Sequence, residues 1–386
     1  MENIDNKEIQ LTEEALRIHR AAIVVDGHND LPYKIRIKGP SALETLDLMK
    51  NQPEYQTDIP RLLKGGVGAQ FWIAVGWMGK QGNGRSGSSY CIEEIELIHK
   101  MTEKYSSVLE LAYSADDIIR IRRQGKIASL IGIEGGKAIE NTLGVLDAYY
   151  RLGVRYMTLT LSDTIDWVDS ATDIARHGGL TKFGEEVVLE MNRIGMLVDI
   201  SHISAEAMRD VLRVSQSPII ASHSSAFALA ASTRNVPDDI LQSISKNGGI
   251  VMVNFFPGFL TQEGAEIFSH FWEYLHYLQS DRSLSDNEIN KLEDKWVEEH
   301  PIPKCAIGDV VNHIEHIVKV AGIDHVGLGS DFDGIPSGPD HLEDVSCFPN
   351  ITQVLLNRGY KEENINKILG GNFMRVFQSV EGKAKK

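Results

Sequence analysis

Apolar residues fall in short dense runs along this chain, and most of the runs end in a polar cluster. Eight such runs predict strands, at residues 21–30, 67–75, 127–134, 154–161, 196–202, 218–223, 249–256 and 325–331. The segments between them predict helices at 8–19, 43–63, 92–105, 143–152, 183–194, 205–214, 238–246, 309–320 and 361–377. Residues 79–89, rich in Gly and Ser, predict a mobile loop. Strands that alternate with helices form βαβ units around a parallel sheet. Near-continuous apolar runs are what strands buried on both faces look like. The expected fold is therefore an α/β protein with a (β/α)8 TIM-like barrel, in preference to an open doubly wound sheet.

A chain of 386 residues would by length alone split into two or three domains. A barrel with insertions can exceed 400 residues, so residues 1–386 are read as a single barrel domain. The polar stretch 261–303 interrupts the alternation after the seventh strand. It carries Trp272, Tyr274, Tyr277 and Trp296 among many charges and reads as a helical insertion, its aromatics forming a local core or a partner surface.

Composition narrows the partners. Hydrophobic residues make up 42% and charged residues 24%, as in an ordinary soluble globular protein. With 39 basic against 54 acidic residues the formal net charge is −15, which argues against nucleic acid or an anionic membrane as partner. No run approaches the ~18 apolar residues of a membrane span, and the N-terminus shows no signal-peptide pattern. Cys91, Cys305 and Cys347 are far apart and form no C-x-x-C, so they are expected as small apolar residues and not as a disulfide framework or a thiolate metal site. A cytoplasmic location is the default expectation.

The candidate chemistry is positional. His28, Asp30, Glu134, His202, His223 and Asp331 all sit at the C-terminal ends of predicted strands, and in a barrel those ends share the rim where active sites are built. His28 and Asp30, two apart in a strand, point to the same side. Singly, each has an ordinary reading: a hydrogen-bonded histidine, a turn glutamate, a helix-capping aspartate. Six together at one rim point to a metal centre. Imidazoles and carboxylates without thiolates suit zinc or another first-row divalent ion better than calcium or magnesium. They outnumber the three protein ligands of one catalytic zinc. Two ions about 3.5–4 Å apart, sharing a carboxylate and a water, account for them, and hydrolysis is the natural chemistry.

Several motifs stand out together: Val25-Asp26-Gly27-His28-Asn29-Asp30, Gly68-Ala69-Gln70-Phe71-Trp72, Gly132-Ile133-Glu134-Gly135, Asp199-Ile200-Ser201-His202 and Ser222-His223-Ser224. Arg234-Asn235-Val236-Pro237-Asp238, Gly329-Ser330-Asp331-Phe332-Asp333-Gly334 and Gly370-Gly371-Asn372-Phe373-Met374-Arg375-Val376-Phe377 follow them. As a set, and in this order, they resemble the membrane (renal) dipeptidase family of dizinc peptidases, amidohydrolase-superfamily barrels. The resemblance implies cleavage of dipeptides, including ones with a D-residue at the C-terminal position. It implies that His28 and Asp30 hold one Zn2+, that Glu134 bridges, and that His202 and His223 hold a second. By family position Asp331, in preference to Asp333, is the acid/base that moves the proton, and Arg234 clamps the substrate carboxylate. A homodimer is expected on the same ground. Such sites also accept Mn2+ or Co2+.

Two positions depart from the family. Leu161 stands where a substrate-contacting histidine is usual; His177, on the following loop, either replaces it in part or positions the loop. Phe259 stands where a tyrosine lies near the substrate. The disulfides and lipid-anchor signal of the animal enzymes find no counterpart here. Alternative readings are a related amidohydrolase acting on another small carboxylate-bearing amide, such as an N-acyl amino acid or a cyclic amide, and a non-catalytic metal-binding homologue.

Overall fold

The computed structural model describes residues 9–39, 41–76, 86–281 and 283–384. Its strands are β1 (Val24–Asn29), β2 (Val67–Val75), β3 (Leu109–Leu111), β4 (Ile127–Glu134), β5 (Val154–Thr158), β6 (Leu197–Asp199), β7 (Ile220–Ala221), β8 (Ile250–Val253) and β9 (Val326–Leu328). All pairings between them are parallel. Eight strands close in the order β1-β2-β4-β5-β6-β7-β8-β9, with β9 back against β1 at Asp26↔Leu328. They are the eight runs the hydrophobic pattern picks out. The ninth, β3, is an addition: it pairs with the start of β4 at Leu109↔Ile127, below the point where β5 joins at Ile131.

Every residue of β1, β2 and β4 is buried, which is why these strands show no alternation. Inside the barrel Phe71, Tyr156, Leu197, Ile220, Ile250 and Met252 pack in one cluster with Phe373 and Phe377. The last two come from the helix Asn372–Lys383. Its Arg375 reaches Gly248 O at 2.7 Å and Lys383 reaches Gln216 O at 3.0 Å, just ahead of β8 and β7. This helix therefore plugs the N-terminal mouth, leaving the opposite rim for chemistry.

Several strands stop short of the apolar runs that predict them. β5, β6, β7 and β9 end at Thr158, Asp199, Ala221 and Leu328, where the runs continue to 161, 202, 223 and 331. Side chains take over the backbone donors: Asp199 Oδ1 accepts from Ser201 N and Ser222 N, and Asp26 Oδ1 from Ser330 N. The chain then turns through left-handed residues at His202 (φ 69°) and Asp331 (φ 65°). Candidate site residues thus stand on turns just above the ladder.

The helix expected over 43–63 is two short ones, Ala42–Thr45 and Ile59–Lys64. Pro53 and Pro60 exclude one continuous helix. The stretch between wraps the Arg61 guanidinium, which bonds Asp58, Asp344, Gln52 O and Tyr55 O. The expected loop 79–89 lies outside the described residues up to 85; Ser86 caps a helix that already begins at Gly87 and runs to Lys104. The helix expected over 361–377 breaks at Gly370, where a Cβ would meet Ile23 O at 2.0 Å. The 261–303 insertion is helical as expected, over Gln262–Ser280 and Asp286–Glu299. Cys91 and Cys305 are buried, Cys347 is half-buried, and all three are free.

Candidate metal centre

The barrel rim brings His28, Asp30, Glu134, His202, His223 and Asp331 together. His28 Nε2 lies 3.4 Å from Asp30 Oδ2, 3.6 Å from Glu134 Oε1 and 3.9 Å from Asp331 Oδ1. Glu134 Oε1 in turn lies 2.9 Å from His202 Nε2 and 3.4 Å from His223 Nε2. The two latter nitrogens converge to 2.8 Å. His28, Glu134 and His223 each offer a ligand atom within 4.8 Å of the others, and so do His28, Asp30 and Asp331. Glu134 is the last residue of β4 and faces both groups.

Neighbours orient the imidazoles. The Tyr156 hydroxyl donates to Gly27 O at 3.0 Å, so its oxygen accepts from His28 Nδ1, also at 3.0 Å. Ser222 Oγ donates to Asp199 Oδ2 at 2.6 Å and accepts from His223 Nδ1 at 2.7 Å. Thr158 Oγ1 donates to the same Asp199 oxygen at 2.5 Å. By these bonds both rings carry a hydrogen on Nδ1 and turn Nε2 to the cluster. Holding the far nitrogen of a metal-ligating histidine in this way fixes its tautomer and orientation.

Charge and orphaned atoms test the fit to a cation. His28 Nε2 and Asp30 Oδ1 are buried without a hydrogen-bond partner. Burial pushes the pKa of Asp30 and Glu134 up, against the pull of His28. At His28 burial works downward, but Asp30, Glu134 and Asp331 outweigh it and raise the pKa to about 10. His202 and His223 are driven well below the usual imidazole value, first by burial and then by the positive charge of Arg234 and His28. The carboxylates thus demand positive charge at the place where His28 Nε2 faces them without a hydrogen-bond partner. The donor set fits a divalent metal.

Asp331 is raised to about 7, chiefly by burial, with His28 opposing and Asp30 adding. Its Oδ2 accepts from Asn254 Nδ2 at 2.9 Å. Asp333, two residues on, is turned away: its Oδ1 accepts from Gln56 N at 2.9 Å and its own N–H bonds Gln56 Oε1.

Arg234 is 1% exposed. Its Nη2 reaches only His223 O, at 3.5 Å, its Nη1 has no partner, and it makes no ion pair among the described residues. The guanidinium lies 5.1 Å from the Phe259 ring centre. Burial lowers its pKa to about 10, with Asp331 and Glu134 opposing, so it stays charged at neutral pH. His177 is exposed, and its Nε2 meets Ile165 O at 2.9 Å. Leu161 stands at the rim: a Cβ on Gly135, next to Glu134, would lie 3.7 Å from Leu161 Cβ. The pattern of polar strand ends did not pick out Tyr156, Asp199, Ser222 or Asn254. The visible signal for Asp199 was a charge inside the apolar run Leu197-Val198-Asp199-Ile200.

A parallel eight-stranded barrel with imidazoles and carboxylates gathered at its C-terminal rim is the frame of a metal-dependent hydrolase. The chain belongs to the membrane dipeptidase family, peptidase family M19, whose model matches residues 12–386. It is 38% identical over 380 residues to human Dipeptidase 3, covering 97% of this chain and 68% of that protein. It is also 38% identical over 363 residues to Dipeptidase tcpJ of Claviceps purpurea, covering 92% and 76%. In structure it is similar to the probable dipeptidase PvdM of Pseudomonas aeruginosa, with TM-score 0.85, 24% identity and 96% and 98% of the chains covered. A metallopeptidase of Rhodobacter sphaeroides, solved with a phosphinate mimic of L-Ala-D-Ala, matches with TM-score 0.77, 23% identity and 93% and 99% covered. Among the described residues no helix is long and apolar enough to cross a membrane.

Proposed function

We propose that the protein hydrolyses the amide bond of small dipeptides, with two divalent ions, zinc foremost, at the barrel rim. The observation that carries the substrate class is Arg234. A buried guanidinium with an unbonded nitrogen and no counter-ion is costly, and a free carboxylate is the anion its fork fits bidentately. Beside the metal cluster it would hold the C-terminal end of the substrate.

His28 and Asp30 would hold one ion and His202 and His223 the other, with Glu134 between them. Bound there, the ions supply Lewis acidity that activates water and polarises the scissile carbonyl. Asp331 takes the proton from water and delivers it to the leaving amine, a task its raised pKa suits. Asn254 keeps its carboxylate aimed at the cluster. Phe259 backs the guanidinium, and Leu161 gives the rim an apolar wall beside Glu134. His177, tied to Ile165 O, shapes the loop around that wall.

The test is amino-acid release from L,L- and L,D-dipeptides by chelated protein and by protein restored with zinc. Turnover confined to the restored sample is the expected result. Two bound metals without turnover of any dipeptide would sink the dipeptide assignment and turn the search to N-acyl amino acids and cyclic amides.

A further inference from the structure

Arg234 stands on an arm that leaves the barrel after β7, and the arm has a neck. Phe227 N bonds Val236 O at 3.0 Å and Val236 N bonds Ser225 O at 2.8 Å, so residues 226 and 236 move together. At that neck a side chain of the helix Ile307–Ala321 intrudes. His313, fully buried, accepts the Ala226 N–H at Nδ1 over 2.9 Å and donates from Nε2 to Leu260 O over 3.0 Å. Leu260 ends the short helix Pro257–Leu260, which carries Phe259 under the guanidinium. One ring thus ties the base of the arginine arm to the base of the aromatic that backs it.

Asn235 completes the frame. Its Oδ1 accepts from Ser225 N at 3.0 Å, and its Nδ2 donates to Ala230 O at 2.9 Å and Phe259 O at 2.8 Å. One turn along the same helix, His316 meets Asp238 at 2.8 Å, beyond the other end of the arm. The helix therefore grips the segment on both sides of Arg234.

We infer that His313 is a positioning residue for substrate-carboxylate recognition: its ring sets where the Arg234 guanidinium sits, though it touches neither substrate nor metal. A purely apolar residue would fill the space and leave Ala226 N–H and Leu260 C=O unpaired. The arm would then relax toward other partners, and recognition that depends on sub-ångström placement would weaken. The inference rests on Arg234 being the carboxylate clamp.

The experiment compares kcat/KM for the dipeptide turned over fastest and for its C-terminal amide, using metal-loaded enzyme. Wild type is expected to prefer the free acid, and Arg234→Met to abolish that preference. His313→Leu is expected to cut it by about tenfold through KM, with kcat and metal content near wild type. His313→Gln, whose amide offers one donor and one acceptor like the neutral ring, is expected to restore it. If Arg234→Met keeps the preference, the clamp assignment itself fails. If Arg234→Met loses it while His313→Leu keeps the wild-type ratio, the positioning role of His313 is overturned. Should His313→Leu not be recovered folded, His313→Asn serves instead. Its shorter arm cannot span both partners, so an unchanged ratio there overturns the role equally.

Discussion

Replacing Gly334 with alanine would put a methyl carbon 2.2 Å from Asp30 Oδ2 and 2.3 Å from Asp331 Oδ1. The backbone itself is no obstacle, because Gly334 is not among the left-handed glycines. A relaxed C···O contact is about 3.3 Å, so each oxygen must retreat by roughly 1 Å, about twice the tolerance of a working site. In metal-free protein the carboxylates are ends of side chains and can swing aside. Stability should then fall by no more than the low end of the ~1–3 kcal/mol seen for overpacking. With metal they cannot swing without giving up their place. Metal affinity should drop at least about 10–100-fold, and turnover at saturating metal about 100-fold. Metal per chain by plasma mass spectrometry at buffered free zinc, turnover, and melting of the chelated protein separate these effects. Wild-type affinity and rate in the variant would refute the reasoning. So would a chelated variant that melts many degrees below chelated wild type.

Four further outcomes follow from the site. Asp331→Asn should keep the wild-type metal content and lose about 10²–10⁴-fold in turnover, read by metal analysis beside steady-state rates. Asp199→Asn removes the acceptor for the Thr158 and Ser222 hydroxyls; competition against a chelator should show metal affinity about 10–100-fold weaker. Chelation should abolish activity and lower the melting temperature, and added zinc should restore both, with about 2.7 kcal/mol of stabilisation at a hundredfold excess over Kd. Burial holds the His313 pKa down at about 4, with Leu260 O opposing and His316 adding to the fall. The unfolded chain therefore binds the extra proton first. This contribution is intact above about pH 6.5 and is lost as pH falls from there to about 4, by roughly 3 kcal/mol in all. Denaturant titrations of wild type and His313→Gln between pH 7 and 4 should diverge by that slope, and parallel curves would contradict it.

The barrel was legible because its strands are buried on both faces, so Val67–Val75 and Ile127–Glu134 read as near-continuous apolar text, broken within only by Gln70 and Ser129. The residues that meet at the rim were legible because six polar residues end such runs on the same side of the barrel, although each alone has an ordinary use. What stayed hidden is held by contacts with no period. The helix Ala115–Arg123 buries only Ala115, Ile118 and Ile121 among five charges, too thin a stripe to stand out. Tyr156 looks like any strand aromatic until its hydroxyl is seen under His28. His313 belongs to an amphipathic helix, and only the three-dimensional arrangement shows both ring nitrogens engaged. The wrapped segment before Ile59 depends on Arg61 meeting Asp344, far along the chain.

The closure of β9 against β1 bears on how the protein is made. Ser330 and Asp26, whose side chains lock that seam, are 304 positions apart. A chain emerging from the ribosome presents His28, Asp30, Glu134, His202 and His223 long before Asp331 is translated. Until then the sheet has two open edges, each a template for pairing with another chain. The helix that plugs the lower mouth, Asn372–Lys383, comes later in the chain than β9. Synthesis that stops anywhere short of β9 therefore leaves both edges of the sheet unpaired and lacks Asp331, so the barrel and its rim are completed only by the segments from β9 onward.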